Sequence, residues 1–536
     1  MPTSHPVLQT FWQKFVRFDH WIEQYRGVAI FLSLVVILRI PTFFEPYWYG
    51  DEGIYLTIGN ALNQGKILYA EIIDHKTPLI YLFAQTGNQL SFRVLTLIWM
   101  VATTSFFIGM ARKLITNRFA QAMAILFFIA ITNTPPFEGT IPNGELFVMG
   151  FVLAGAFLIL QTKFWSAVSK DNPVVVPSKS DRSLLIAAGC LFGLGILTKV
   201  PAILDLGAWL ALAGMVVLPL IQAQHNNRFQ LLRTWLAYIG LIGVGTSIPI
   251  VISILYFIAI GAGDAYLDFG LLYNFRYAGS WQPDFPFAWV KPFFSLPVKT
   301  LLLALITCIL LLSKKRVSHT TIVLSIWFWC ALFASLLSNR PYPHYFLQIA
   351  PPIALLTGNF FSVFLSTFNR HTLASKMRTI AITVLSLGTL AAIVVLLEVR
   401  PYPTLSYYKN WWQLITNQQS LAQYRQSFNP LMEDNYAASQ LFGSAGSKRL
   451  FIWGTNPMLY ALSKTIPPGR FTVSFHIKDF NAYSETLSDL EREPPPFIVV
   501  MHDETENFPE FRNFLKGNYR MYRQLNSFTI WRKNVQ

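Results

Sequence analysis

The chain has 536 residues, 53% of them hydrophobic and only 13% charged, with a mean hydropathy of +0.41. Soluble proteins carry about 25% charged residues, so an ordinary soluble domain is excluded and a membrane protein is indicated. The net charge of +15 does not argue for nucleic acid as a partner, because the bases are scattered over short loops between apolar runs, where they act as topological signals.

In chain order, residues 1–26 are too polar for a cleaved signal, so the first apolar run is expected to remain as an anchor. Phe11, Phe15, Phe18 and Ile22 recur at helical spacing with Lys14 and Arg17 among them, the pattern of a helix lying on the cytoplasmic membrane surface. Apolar runs near bilayer-spanning length follow at 27–44, 92–111, 119–133, 145–162, 184–198, 202–221, 235–260, 298–313, 320–338, 346–366 and 379–397, about eleven in all. Lys199 and Pro201 interrupt the 184–221 stretch.

Alternate loops are rich in bases and poor in acids, as at Arg112, Lys113 and Arg118 or at Lys314, Lys315 and Arg316. That bias puts the N-terminus in the cytoplasm. An odd number of spans then places residues 400–536 outside the inner or plasma membrane. The composition of this tail is soluble, and β-like runs at 449–454, 496–502 and 527–531 alternate with helical candidates. Cys190, Cys308 and Cys330 all fall in apolar runs, which leaves the tail without a disulfide. The expected fold is an all-α polytopic membrane domain over 27–399 followed by a small C-terminal α/β extracytoplasmic domain. No internal repeat suggests the inverted halves of many transporters.

The first outer loop, 45–91, contains "YWYGDEGIYLTIGNALNQGKILYAEIIDHKTPLIYL". Ile54, Ile58, Ala61 and Leu62 give a helical stripe after Asp51, and Gly65 is the expected stop. Asp51 and Glu52 then sit at a helix N-terminus, whose partial positive charge favours carboxylates. A second helix is expected at Thr77-Pro78, with Thr77 as its cap. Because the loop joins neighbouring spans, Asp51 and Lys76 are expected to face one cavity.

Further charges collect in other outer loops: Glu138 and Glu145 in 133–145, Lys199 and Asp205 in 198–205, Arg276 in 263–284, and Arg340 and His344, with Tyr345, in 338–352. Each has a plain structural reading. Asp51-Glu52 reads as a helix cap, Asp74-His75-Lys76 as a solvated turn, and Glu145 as a first-turn charge. Arg39, Lys199 and Arg276 read as snorkelling cations, and His344 as a satisfied histidine. Their collection at one face favours function, since ionisable groups at membrane depth are expensive.

A first span ending in "GDE", a loop ending in "DHKTP" and a late outer loop reading "PHYFLQIAPP" resemble bacterial GT-C glycosyltransferases, in the style of protein O-mannosyltransferases and lipid A aminoarabinose transferases. The tail segment "IWGTNPMLYALSKTIPPGRF" is also similar. The resemblance covers most of 27–400 and is specific for the superfamily rather than for a sugar or an acceptor. It implies an inverting transfer of sugar from a polyprenyl-phosphate donor to a hydroxyl on a protein, lipid or glycan. Asp51, with Glu52 beside it, maps onto the family's general base. Lys76 and Arg340 by motif, and Lys199 and Arg276 by position, would hold the donor phosphate, with Tyr345 and His344 as hydrogen-bond donors. Asp74, His75 and Glu145 would meet the sugar or acceptor. No cofactor or metal is expected. A polysaccharide polymerase or ligase using lipid-linked sugars, a transporter and a polytopic receptor are the rival readings.

Overall fold

The computed structural model describes residues 25–165, 176–211, 228–279, 281, 283, 285, 288–313, 316–366 and 373–534. The surface helix expected over 1–26 falls almost wholly outside them. Each apolar run has a helix, among them Tyr25–Arg39, Gln89–Leu114, Gly144–Leu160, Lys179–Thr198, Arg228–Ala259 and Leu373–Leu396. The helical chain breaks at Lys199–Pro201, as the sequence suggests.

The expected count of eleven spans does not follow from these helices. Among the described residues, six are long and apolar enough to cross a membrane, or up to seven if Ala288–Phe294 and Leu296–Leu312, bent by 69°, form one span. Arg118–Thr132, with 15 residues, extends only about 22 Å, short of the ~30 Å hydrocarbon core.

Packing in the bundle rests on small residues where helices approach closely, as membrane packing favours. A Cβ on Gly189 or Gly245 would collide with the backbone of the facing helix, at Ile242 and Ile186 respectively. Elsewhere aromatic rings interleave, as in the Phe107–Phe128 stack at 4.0 Å between centroids.

The C-terminal domain carries a four-stranded sheet, β1 (Phe451–Trp453), β2 (Phe497–Met501), β3 (Tyr519–Gln524) and β4 (Phe528–Lys533), in the order β1-β2-β4-β3. β1 and β2 are parallel and the other pairs antiparallel. The sequence reading finds β1, β2 and β4 but not β3. This domain is docked onto the first loop. Ile73 donates its backbone N–H to the Arg470 carbonyl at 2.9 Å. A Cβ on Gly53 would lie 2.7 Å from the Met458 backbone nitrogen, so only glycine allows that approach.

A buried ion cluster fixes where the first span ends and the loop begins. Arg93 grips Glu52 with two nitrogens, at 2.8 and 2.6 Å, and reaches Glu45 at 3.0 Å. Glu45 also accepts from Trp48 at 2.8 Å and from Tyr407 of the tail. Removing one partner of such a cluster strands buried charge, which costs about 3–5 kcal/mol. Arg93→Met should therefore lower the thermal midpoint of the detergent-purified protein markedly, and adding Glu45→Gln with Glu52→Gln should recover most of the loss. An unchanged midpoint in the single variant would show the cluster to be dispensable.

Candidate active site

The first loop folds largely as its pattern dictates. Its helix runs over Gly50–Asn63 with Asp51 and Glu52 in the first turn, and Gly65 follows at φ +87°. The second helix, Leu79–Phe83, starts after Pro78. Thr77 does not cap it. Its hydroxyl donates instead to the Ile196 carbonyl at 3.1 Å, tying the loop to a long helix of the bundle.

Between these helices the chain returns Lys76 to Asp51. The Lys76 ammonium lies 3.5 Å from Asp51 Oδ2 and 3.4 Å from Asp74 Oδ2. It also stands 5.0 Å from the centre of the Tyr55 ring, whose hydroxyl donates to Asp51 at 3.2 Å. Tyr81 donates to Asp74 at 2.8 Å, and Tyr69 donates to the Lys76 carbonyl at 2.7 Å. The turn is thus buried and clamped, not solvated. Burial pushes the Asp51 carboxyl up, but Lys76 together with His344 and His75 outweighs it and holds the group below the usual carboxylate range. Burial acts likewise on Asp74, and Lys76 with His75 holds it well below that range. For Lys76, burial would lower the ammonium, and the two carboxylates raise it well above its ordinary value. All three groups are ionised at neutral pH.

Lys76 lines a cavity of about 290 Å³ together with His75, Glu145, Lys199, Tyr277 and Tyr345. Asp51 is not among the lining residues and meets the cavity through Lys76. Its side chain keeps 29% exposure, which leaves it within reach of a small hydroxyl. Lys199 does not snorkel. It turns inward to pair with Glu145 and lies 4.2 Å above the Tyr345 ring. Tyr345 and Tyr277 join hydroxyls at 3.2 Å.

Other expected members stand apart. Glu52 points away from Asp51 into the Arg93 cluster, only 2% exposed. Successive helix residues diverge by about 100°, so the neighbouring acids cannot share a face, and Glu52 is corrected from the catalytic to the structural side. Arg276 is exposed and does not line the cavity. Arg340 sits 4.5 Å from the Tyr277 ring and 5.4 Å from Trp281, beside the cavity rather than lining it. His344 bonds Glu138 at 2.6 Å and the Tyr49 hydroxyl at 3.1 Å, a satisfied histidine outside the cavity. Asp205 lies in a helix rather than a loop, buried against Trp327 at 2.6 Å and Gln348 at 2.5 Å. Arg39 is buried too. It binds Asn133 at 2.8 Å and the carbonyls of Gly139 and Thr140, which holds the loop of Glu138, itself at φ +59°.

Beside the Tyr49–Glu138–His344 group opens a second cavity of about 710 Å³, lined by Glu138, Trp281, Tyr342 and Arg400. The sequence reading also missed His476, from the C-terminal domain, whose Nε2 lies 3.5 Å from Asp74 Oδ1. Burial pushes its imidazole down to about 3, so the ring is neutral.

No family model and no curated protein sequence matches the chain. Solved structures similar to it include the oligosaccharyltransferase AglB from Archaeoglobus fulgidus with an inhibitory peptide and a dolichol-phosphate, at 14% identity and a TM-score of 0.44, covering 96% of this chain and 75% of that one. The apo form of the Archaeoglobus fulgidus oligosaccharyltransferase is similar at 14% identity and 0.44, over 90% and 70%. Arabinosyltransferase EmbB from Mycobacterium smegmatis is similar at 11% identity and 0.40, over 96% and 47%.

Proposed function

We propose that the chain is a membrane glycosyltransferase that moves a sugar from a polyprenyl-phosphate donor to an acceptor hydroxyl at the outer membrane face. The observation that carries this reading is the contact of Asp51 with Lys76, a cation that lines the cavity. A largely apolar pocket whose lining also includes Lys76 and Lys199 suits a lipid phosphate. Lys76 and Lys199 are placed to neutralise charge as the sugar–phosphate bond breaks, an electrostatic device that needs no proton on the leaving group. The acceptor oxygen attacks the anomeric carbon, the bonding pair leaves with the phosphate, and Asp51 takes the hydroxyl proton. A single displacement inverts the anomeric centre.

Lys76 also sets the timing. Before donor binds, it spends its charge on Asp51 and keeps that carboxylate weakly basic. A donor phosphate competes for the ammonium, and burial then raises the Asp51 pKa toward a better base. The larger cavity at Glu138 and Arg400 offers the acceptor its approach.

The test is membranes containing the chain, supplied with polyprenyl-phosphate hexoses and pentoses radiolabelled in the sugar. Label should pass from the lipid to a membrane acceptor, with inverted configuration by NMR of the released glycan. Intact donors throughout the panel, with solute flux in sealed vesicles lacking donor, would establish a transporter instead.

A further inference from the structure

We propose that the helix Thr404–Ile415 lies on the membrane surface, with Leu405, Trp412 and Ile415 sunk among the lipid chains of the leaflet nearest the C-terminal domain. The helix has 12 residues and is about 18 Å long, too short to cross the ~30 Å hydrocarbon core. It starts after the last apolar helix, Leu373–Leu396, once the chain has turned through Pro401, Tyr402 and Pro403.

A turn of about 100° per residue divides the helix into three faces. One packs on the protein: Tyr407 donates to Glu45, and the Trp411 ring lies 6.2 Å from that of Phe44, where the first span ends. At the edge of this face Tyr408 donates to the Leu38 carbonyl at 2.9 Å. A second face carries Ser406, Asn410 and Gln413. The third holds Leu405, Trp412 and Ile415 within an arc of about 80°, and they are 83%, 57% and 40% exposed. A clustered apolar stripe of this kind marks a contact surface, and its surroundings say with what. Ile37 and Phe44 on the first span and Val395 on the last are also exposed, as side chains facing lipid are. The helix is bonded at Leu38 and Phe44, so its stripe continues a surface already in the bilayer. Tyr407, Tyr408, Trp411 and Trp412 supply the aromatic residues that gather at the membrane–water boundary. Lys409 falls between the apolar and polar faces, where its ammonium can reach headgroup phosphates. The helix thus ties the C-terminal domain to the bilayer, whether or not the chain transfers sugar.

Leu405→Cys, Trp412→Cys, Ser406→Cys and Gln413→Cys are made singly in full-length protein whose Cys190, Cys308 and Cys330 are replaced by serine. Each carries a nitroxide label in proteoliposomes of phosphatidylethanolamine and phosphatidylglycerol. At 405 and 412, collisions with oxygen, which concentrates in acyl chains, should exceed those with a water-soluble nickel chelate. The depth there should be about 5–10 Å, and the order of the two reagents should invert at 406 and 413. Should the serine background not fold, the same labels are read in the native background after subtraction of the labelled parent. Nickel collisions at 405 and 412 equal to those at 406 would put the stripe in water. Labels shielded from both reagents would put a protein surface against it, and either result overturns the lipid contact.

Discussion

Asp51→Asn is expected to lower sugar transfer by about 10²–10⁴-fold, the usual worth of a general base, while the protein accumulates and melts much as the wild type does. Asparagine keeps the shape of the side chain and still accepts a hydrogen bond from Tyr55, but it takes no proton from an attacking hydroxyl. Transfer from a labelled polyprenyl-phosphate sugar, normalised to folded protein, is the measurement, and undiminished transfer would remove Asp51 from the mechanism. Its neighbour supplies the control. Glu52 is held by Arg93 and Gln89, so Glu52→Gln should reduce the amount of folded protein rather than the turnover of each molecule.

That contrast marks how far the sequence could be read. Local pattern sufficed where local forces decide: the helix after Asp51, its stop at Gly65, the helix break at Lys199–Pro201, and the strands whose buried residues make apolar runs. It did not suffice where direction or partner is set across the fold. Two adjacent acids look equivalent on paper, and only the helix turn separates the one beside Lys76 from the one beside Arg93. Arg39 reads as a snorkelling cation because its partners, Asn133 and the carbonyls after it, come from a loop about a hundred residues on. β3 is an edge strand with only Tyr519 buried, so "YRMYRQ" carries no clean alternation to find. His476 is the extreme case. No spacing links it to Asp74 and His75, and only docking of the C-terminal domain on the first loop brings it there.

Lys76→Met should be nearly as damaging as loss of the base, by about 10²–10³-fold in kcat, the cost of removing one group aimed at developing negative charge. It should also leave a signature that loss of phosphate affinity alone does not. In the wild type the charged or titratable groups acting on Asp51 are Lys76, His344 and His75, which favour its ionised form, and Asp74, which opposes it along with burial. Without Lys76, burial and Asp74 prevail over the two histidines, so the Asp51 pKa rises. The acid limb of kcat/KM therefore moves to higher pH, and residual activity recovers as pH increases, because the base must be ionised to accept a proton. Lys76→Arg keeps the charge and should keep the wild-type acid limb even if the donor KM climbs. Superimposable pH profiles for Lys76→Met and wild type would mean that the ammonium does not control Asp51, and the coupling of donor phosphate to base strength would fall with it.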